Sequence, residues 1–166
     1  MLIPMFNQQP ILPSLREKPV DYQEPIRNEW LDHYQHLNEA YYLVAFSNAT
    51  WNLQDKLGIG KEYFNKTGQA LYTVESHISY TKEIRAPATL NIKIMVLDFR
   101  QKKLLLGHEL RVRNTLRATF ECLLIHFDTG SKKAIDFGDK ITKLLSLHKE
   151  KQLPGWVGKS ISIDRK

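Results

Sequence analysis

Between Asn38 and Leu57 the chain is apolar almost without interruption: Ala40, Tyr41, Tyr42, Leu43, Val44, Ala45 and Phe46 run together, and Ala49, Trp51, Leu53 and Leu57 continue at helical intervals. This spacing predicts a helix over 38–57, and apolar positions all round it predict burial on most sides. Its ends are marked by Asn38 as N-cap, by Glu39 where the helix dipole favours negative charge, and by Gly58 beyond the last apolar position. The period then changes to two. Ala70, Tyr72, Val74, Ile78 and Tyr80 are expected on one face of a strand, with Thr73, Glu75, His77 and Ser79 opposite. Three more strands follow, at 89–99 (Leu90, Ile92, Ile94, Val96), 103–113 (Leu104, Leu106, Leu110, Val112) and 116–128 (Leu116, Ala118, Phe120, Leu124), with short hairpin connections. Ile141, Leu144, Leu145 and His148 predict a final amphipathic helix over 138–150.

Upstream, Tyr22 to Trp30 has room for a short first strand, which Pro25 restricts to an edge or breaks. Pro4, Pro10, Pro13 and Pro19 make residues 1–20 an irregular arm. The lysine-rich segment 151–166 reads as a loosely held basic tail. One strand, one long apolar helix and four consecutive strands define an α+β fold: an antiparallel five-stranded sheet wrapped around a central helix, plus a C-terminal helix, over 21–150. Such a sheet keeps an exposed edge, and pairing that edge with the same strand of a second copy removes it, so a dimer at least is expected.

Composition narrows the function classes. The 166 residues, 42% of them hydrophobic, are enough for one core and one domain. No apolar run approaches the roughly 18 residues of a membrane span, and Met1 to Arg16 lacks a basic start followed by an apolar stretch. The lone Cys122 lies in an apolar run, as a buried inert thiol in a reducing cytoplasm would. A net charge of +6 suits a polyanionic partner. The basic residues are spread out, with no zinc-finger spacing and no aromatic RNA-binding signature, so a phosphate-bearing small molecule is expected rather than nucleic acid. His33, His36, His77, His108, His126 and His148 show no metal-ligand spacing, and there is no Gly-x-Ser-x-Gly elbow of a serine hydrolase.

The segment Glu29-Trp30-Leu31-Asp32-His33-Tyr34-Gln35-His36-Leu37-Asn38-Glu39-Ala40-Tyr41-Tyr42 resembles the entry to the central helix in hotdog-fold thioesterases of the 4-hydroxybenzoyl-CoA thioesterase type. Its core is Asp32, His36 and Asn38 in an Asp-x-x-x-His-x-Asn pattern. Downstream, Thr73-Val74-Glu75-Ser76-His77-Ile78-Ser79-Tyr80 and Leu124-Ile125-His126-Phe127-Asp128 resemble a narrower group, the betainyl-CoA thioesterases associated with carnitine dehydrogenase. The likeness covers about residues 20–130. It implies an acyl-CoA substrate bound at a subunit interface of a homodimer or homotetramer, no cofactor beyond the substrate's own CoA, no metal, and a thioester carbonyl aimed at the amino end of the central helix. Helix N–H groups there can stabilise an oxyanion, by roughly 3–4 kcal/mol per well-placed donor. Asp32 would either activate water or attack the thioester. One departure stands out: many relatives have Asn-Gly where this chain has Tyr34-Gln35, so the loop is expected to differ in shape, with Tyr34 lining or occluding the pocket.

Other roles stay open at this level. His36 either orients the loop or acts on the substrate, and Asn38 is a cap that can also reach the pocket. Glu75 and His77 share a strand face as an acid/base pair, a subunit contact or a solvent-facing pair. Trp30, Tyr34, Tyr42 and Tyr72 are candidate aromatic faces for a quaternary ammonium, or core. Lys82 and Arg85 are candidates for the CoA phosphates, or ordinary surface charge. Two rival functions follow from the same sequence: a non-catalytic module that binds acyl-CoA or an acyl carrier, and a dehydratase acting on a hydroxyacyl thioester.

Overall fold

The computed structural model describes residues 21–164; the expected arm at 1–20 lies outside them. In chain order the elements are β1 (Tyr22–Pro25), a 3-10 turn (Asn28–Trp30), α1 (Glu39–Lys56), α2 (Lys61–Thr67), β2 (Gln69–Tyr80), β3 (Thr89–Arg100), β4 (Lys103–Val112), β5 (Thr115–Asp128), β6 (Lys133–Ala134) and α3 (Asp139–His148). The strands lie in the order β1-β3-β4-β5-β2, all antiparallel, and β6 adds a two-residue pairing to β5. The sheet wrapped around a helix is thus the one the periodicity predicts. The short α2 and β6 carry too few residues for a period to show.

Helix α1 begins where its cap dictates: Asn38 is extended, and its side chain accepts the Ala40 N–H. The chain leaves at Gly58, whose φ of +68° suits a residue without a Cβ. One stripe of the helix, Tyr42, Ala45, Phe46, Ala49, Thr50 and Leu53, is buried against the inner sheet face, formed by Leu90, Ile92, Leu104, Leu106, Leu110, Phe120 and Leu124 among others. Burial on most sides, expected from the composition of α1, is not what a single chain provides: Leu43, Val44 and Trp51 are 45%, 39% and 68% exposed. A single curled sheet covers only one side of a helix.

Strand β2 corrects a second expectation. A bulge between Thr73 and Glu75 inserts Val74 as an extra residue opposite β5, so the alternation inverts midway. Upstream of it, Leu71 pairs with the inward His126 and Tyr72 with Ile125; downstream, Ile78 pairs with the inward Phe120 and His77 with Glu121. Tyr72 therefore faces outward with Glu75 and His77 rather than inward with Ile78 and Tyr80, and its ring lies 5.3 Å from that of Phe127.

The C-terminal segment is not loosely held. Ile161 and Ile163 are buried against Met95, Leu97, Leu105 and Leu123 on the outer sheet face, with Trp156 and Val157 packed beside them. The Trp156 indole N–H donates to Glu109 at 3.1 Å, and the Gly158 N–H to the buried Glu121 at 2.7 Å. Gly107 makes room for this second layer: a Cβ there would come within 2.9 Å of the Leu97 side chain.

On the inner face, His108 is fully buried between Phe46 and Phe120, with Nε2 2.9 Å from the Thr50 hydroxyl. Burial pushes its pKa down to about 3, so the folded protein holds it neutral while the unfolded chain protonates it near its ordinary value. Stability from this group is complete above the unfolded pKa of roughly 6.5 and declines as pH falls from there towards about 3, by roughly 1.4 kcal/mol per pH unit. Urea titrations from pH 7 to 4 should show His108→Gln losing less stability than wild type by about that slope; parallel profiles would show that His108 is not the group responsible.

Candidate active site

The chain enters α1 through a loop closed on itself. Leu31 and Leu37 form an isolated bridge, the Asp32 N–H donates to the His36 carbonyl at 2.8 Å, and the Asn38 N–H donates to the Trp30 carbonyl at 3.0 Å. Within it, Asp32 Oδ1 accepts the N–H groups of Tyr34 at 2.8 Å and His36 at 3.0 Å. The His36 N–H above all, with that of Tyr34, holds the Asp32 carboxyl below its ordinary pKa against an opposing desolvation; His36 and His33 add a smaller electrostatic pull. Asp32 is thus a carboxylate at neutral pH. Both bonds end on Oδ1, which leaves Oδ2 to take up a water or to reach a carbonyl carbon.

The Tyr34-Gln35 departure does not abolish the tight turn. Gln35 takes a φ of +64°, the conformation a glycine adopts freely, and its N–H donates to the Asp32 carbonyl at 3.0 Å. The turn closes at the cost of a strained residue. Tyr34, at the tip, is 66% exposed with its ring against His33, so in the single chain it does not occlude the loop.

Asp32, His36 and Asn38 are brought together at the amino end of α1. Asn38 acts as a cap: its side chain takes the Ala40 N–H and its carbonyl the Tyr41 N–H. The other candidates divide. Trp30 is buried, with Tyr41 stacked on it at 5.5 Å and the Arg27 guanidinium 5.0 Å from its ring centre, so its faces are already covered. Tyr42 is core as well, edge-on to Tyr80, and burial pushes its pKa up to about 12. Tyr72, Glu75 and His77 lie on the outer sheet face, away from α1. Tyr80, which the sequence reading did not single out, is half exposed beside the helix start, and its hydroxyl lies 3.4 Å from the Glu39 carbonyl.

A cleft of ≈ 350 Å³ adjoins this loop, between the β2–β3 connection and the β4–β5 turn; Glu83, Arg85, Pro87, Val112, Arg113 and Arg117 line it. It is tied to the Asp32 loop by the Leu37 N–H, which donates to the Ile84 carbonyl at 2.8 Å, and by a bridge between His36 and Arg85. Arg85 was anticipated as a phosphate partner. Arg113 and Arg117 join it only through the fold, since a hairpin turn carries them there, while Lys82 is exposed and does not line the cleft. Three guanidiniums in a concave surface suit phosphate. Among the described residues no cluster of His, Cys, Asp and Glu could hold a metal ion. Cys122 is buried in the core, where desolvation raises its pKa.

The strain at Gln35 gives the first test of the loop. Gln35→Gly should raise the unfolding free energy by roughly 0.5–1 kcal/mol in chemical denaturation, whereas Gln35→Val should lower it; the reverse order would mean that the turn is not left-handed at this position.

Comparison with known proteins places this geometry. The model of the Thioesterase-like superfamily matches residues 26–145. A betainyl-CoA thioesterase of Pseudomonas aeruginosa is 27% identical over 148 residues, covering 86% of this chain and 93% of its own length. An L-carnitine dehydrogenase/betainyl-CoA thioesterase of Agrobacterium fabrum is 28% identical over 87% of this chain, which spans 30% of that longer protein. Among solved structures, a Staphylococcus aureus protein in complex with CoA superimposes with a TM-score of 0.78 at 20% identity, covering 86% of this chain and 94% of that one. A DHNA-CoA thioesterase of the same organism gives 0.70 at 18%, over 76% and 88%. Both structural likenesses show the hotdog fold. Because the family match takes in the Asp32 loop, the central helix and strands β2 to β5, this chain belongs to the Thioesterase-like superfamily.

Proposed function

We propose that this acyl-CoA thioesterase hydrolyses betainyl-CoA or another short acyl-CoA to the free acid and CoA, working as a homodimer. The observation that carries this reading is the ionised Asp32, fixed by two backbone donors at the amino end of α1 and next to an arginine-lined cleft. The CoA phosphates take Arg85, Arg113 and Arg117, and the pantetheine arm leads from there past His36 to Asp32. The thioester carbonyl lies at the start of α1. Asn38 engages the N–H groups of Ala40 and Tyr41, so oxyanion stabilisation falls to the first helical residue, Glu39, and to the helix dipole. Asp32 either takes a proton from a water that attacks the carbonyl carbon, or attacks that carbon itself to form a mixed anhydride that water then hydrolyses. In both routes the C–S bond breaks, CoA leaves as the thiolate and water supplies the oxygen of the free acid. Neither route calls for a metal or for a cofactor beyond the substrate's own CoA.

Support for a betaine-like acyl group comes from the 27% identical betainyl-CoA thioesterase and from two exposed rings near the helix start, Tyr34 and Tyr80. A quaternary ammonium gains about 0.5–2 kcal/mol from an aromatic face. The buried Trp30 and Tyr42 do not serve. The tight turn at Gln35, which holds Asp32 against two backbone donors at the amino end of α1, favours turnover over a non-catalytic acyl-CoA binding module.

Release of CoA thiol from a panel of betainyl-, acetyl-, medium-chain and benzoyl-CoA should identify one preferred acyl class. Asp32→Asn retains an oxygen for both backbone donors but loses the charge, and should cut turnover at least about a hundredfold with folding unchanged. Turnover equal to wild type would remove Asp32 from the chemistry; absence of hydrolysis alongside tight CoA binding would favour the binding module.

Dimerisation is inferred from two features. Among the described residues, strand β2 ends the sheet path with one edge unpaired, and the uncovered side of α1 presents Leu43, Val44 and Trp51. A second copy covers both at once. Trp51→Glu should weaken association by at least about 2 kcal/mol, read as a thirtyfold or greater shift in dimer dissociation by sedimentation; an unchanged dimer would place the interface elsewhere.

A further inference from the structure

Glu83 stands where the Asp32 loop and the arginine cleft meet. Its carboxylate is shared between them, with Oε1 3.3 Å from Arg85 Nε and Oε2 3.6 Å from His36 Nε2. The two partners are held to each other by backbone, since His36 and Arg85 pair in an isolated bridge, and Arg117 Nη1 donates to the Glu83 carbonyl at 3.0 Å. Two buried nitrogens close to Glu83 have no hydrogen-bond partner, His36 Nε2 and Arg117 Nε. A buried polar atom left unsatisfied is costly, and an acceptor just beyond bonding distance is the natural remedy.

We propose that Glu83 is a positioning residue that couples phosphate uptake in the cleft to the orientation of His36, a role that rests on the thioesterase reading. In the arrangement described, one carboxylate is divided between a guanidinium and an imidazole and makes a full hydrogen bond only to the former. Phosphate competes for the same guanidinium, and does so with more charge and a geometry that accepts two N–H groups at once. Taking Arg85 away frees Glu83. The carboxylate then has to close from 3.6 Å to about 2.7–2.9 Å to bond Nε2. That bond keeps the proton on Nε2, fixes the ring plane and leaves Nδ1 as the acceptor. A substrate carrying the nucleotide end of CoA thus sets the imidazole for reaction, and a thioester without that end does not.

The test compares full-length wild type and Glu83→Gln on the preferred acyl-CoA and on the same acyl group carried by pantetheine, with and without adenosine 3′,5′-bisphosphate. Wild type should hydrolyse the pantetheine thioester slowly, and the bisphosphate added in trans should raise kcat by about tenfold. Glu83→Gln should lose about tenfold in kcat on acyl-CoA with little change in KM, and should no longer respond to the bisphosphate. Wild type unmoved by the bisphosphate, or Glu83→Gln still activated by it, would overturn the coupling while leaving the thioesterase intact. Failure of wild type to release thiol from any acyl-CoA would overturn both.

Discussion

The seat of α1 in the curled sheet is the contact on which the rest depends. Ala45 and Ala49 remove side-chain bulk where the helix meets the sheet, and Phe46 and Leu53 fill the space on either side, all four at 1% exposure or less. Each large side chain so buried contributes about 1.5–3 kcal/mol, and Phe46 lies parallel to Phe120 at 4.8 Å. A close helix fixes where its amino end emerges. The loop before it is consequently short and closed by hydrogen bonds to Trp30, to Ile84 and within its own backbone, and Asp32 inherits a fixed position from packing that does not touch it.

That inheritance explains how a partly exposed carboxylate is kept ready without deep burial. Two N–H groups hold it ionised, and the cleft beside it is shaped by elements that the same helix seat has ordered. The sheet's bulges extend the logic. They bend β2 and β3 around the helix, and β2 ends the strand path on the far side from β1. On the opposite face the C-terminal segment closes the sheet in cis with Ile161 and Ile163.

Much of this was legible in the sequence for definite reasons. The long apolar helix, its Asn38 cap and the four alternating strands each carry a period long enough to be read, and the Asp32, His36 and Asn38 spacing survives because it lies within one short loop. Where the reading failed, a local rule met a non-local one. Val74 looks like any inward residue until the bulge makes it an extra one and turns Tyr72 outward. Trp30, open in the sequence between a substrate face and core, is covered by Tyr41 and Arg27. The basic tail looks like solvent-facing charge because its two isoleucines are too few to form a period.

What the sequence by itself determined is therefore what neighbours along the chain decide: element type, the capped entry to the central helix, a lone cysteine in an apolar run, and a carboxylate placed before that helix. The tertiary structure decided what depends on distant segments meeting: which face of β2 looks inward, that Arg85, Arg113 and Arg117 share a cleft, and that Glu83 sits between Arg85 and His36. The physical reason is that periodicity records burial relative to an element's own axis, whereas a site is made by residues whose separation is set only when the sheet bends and the loops close.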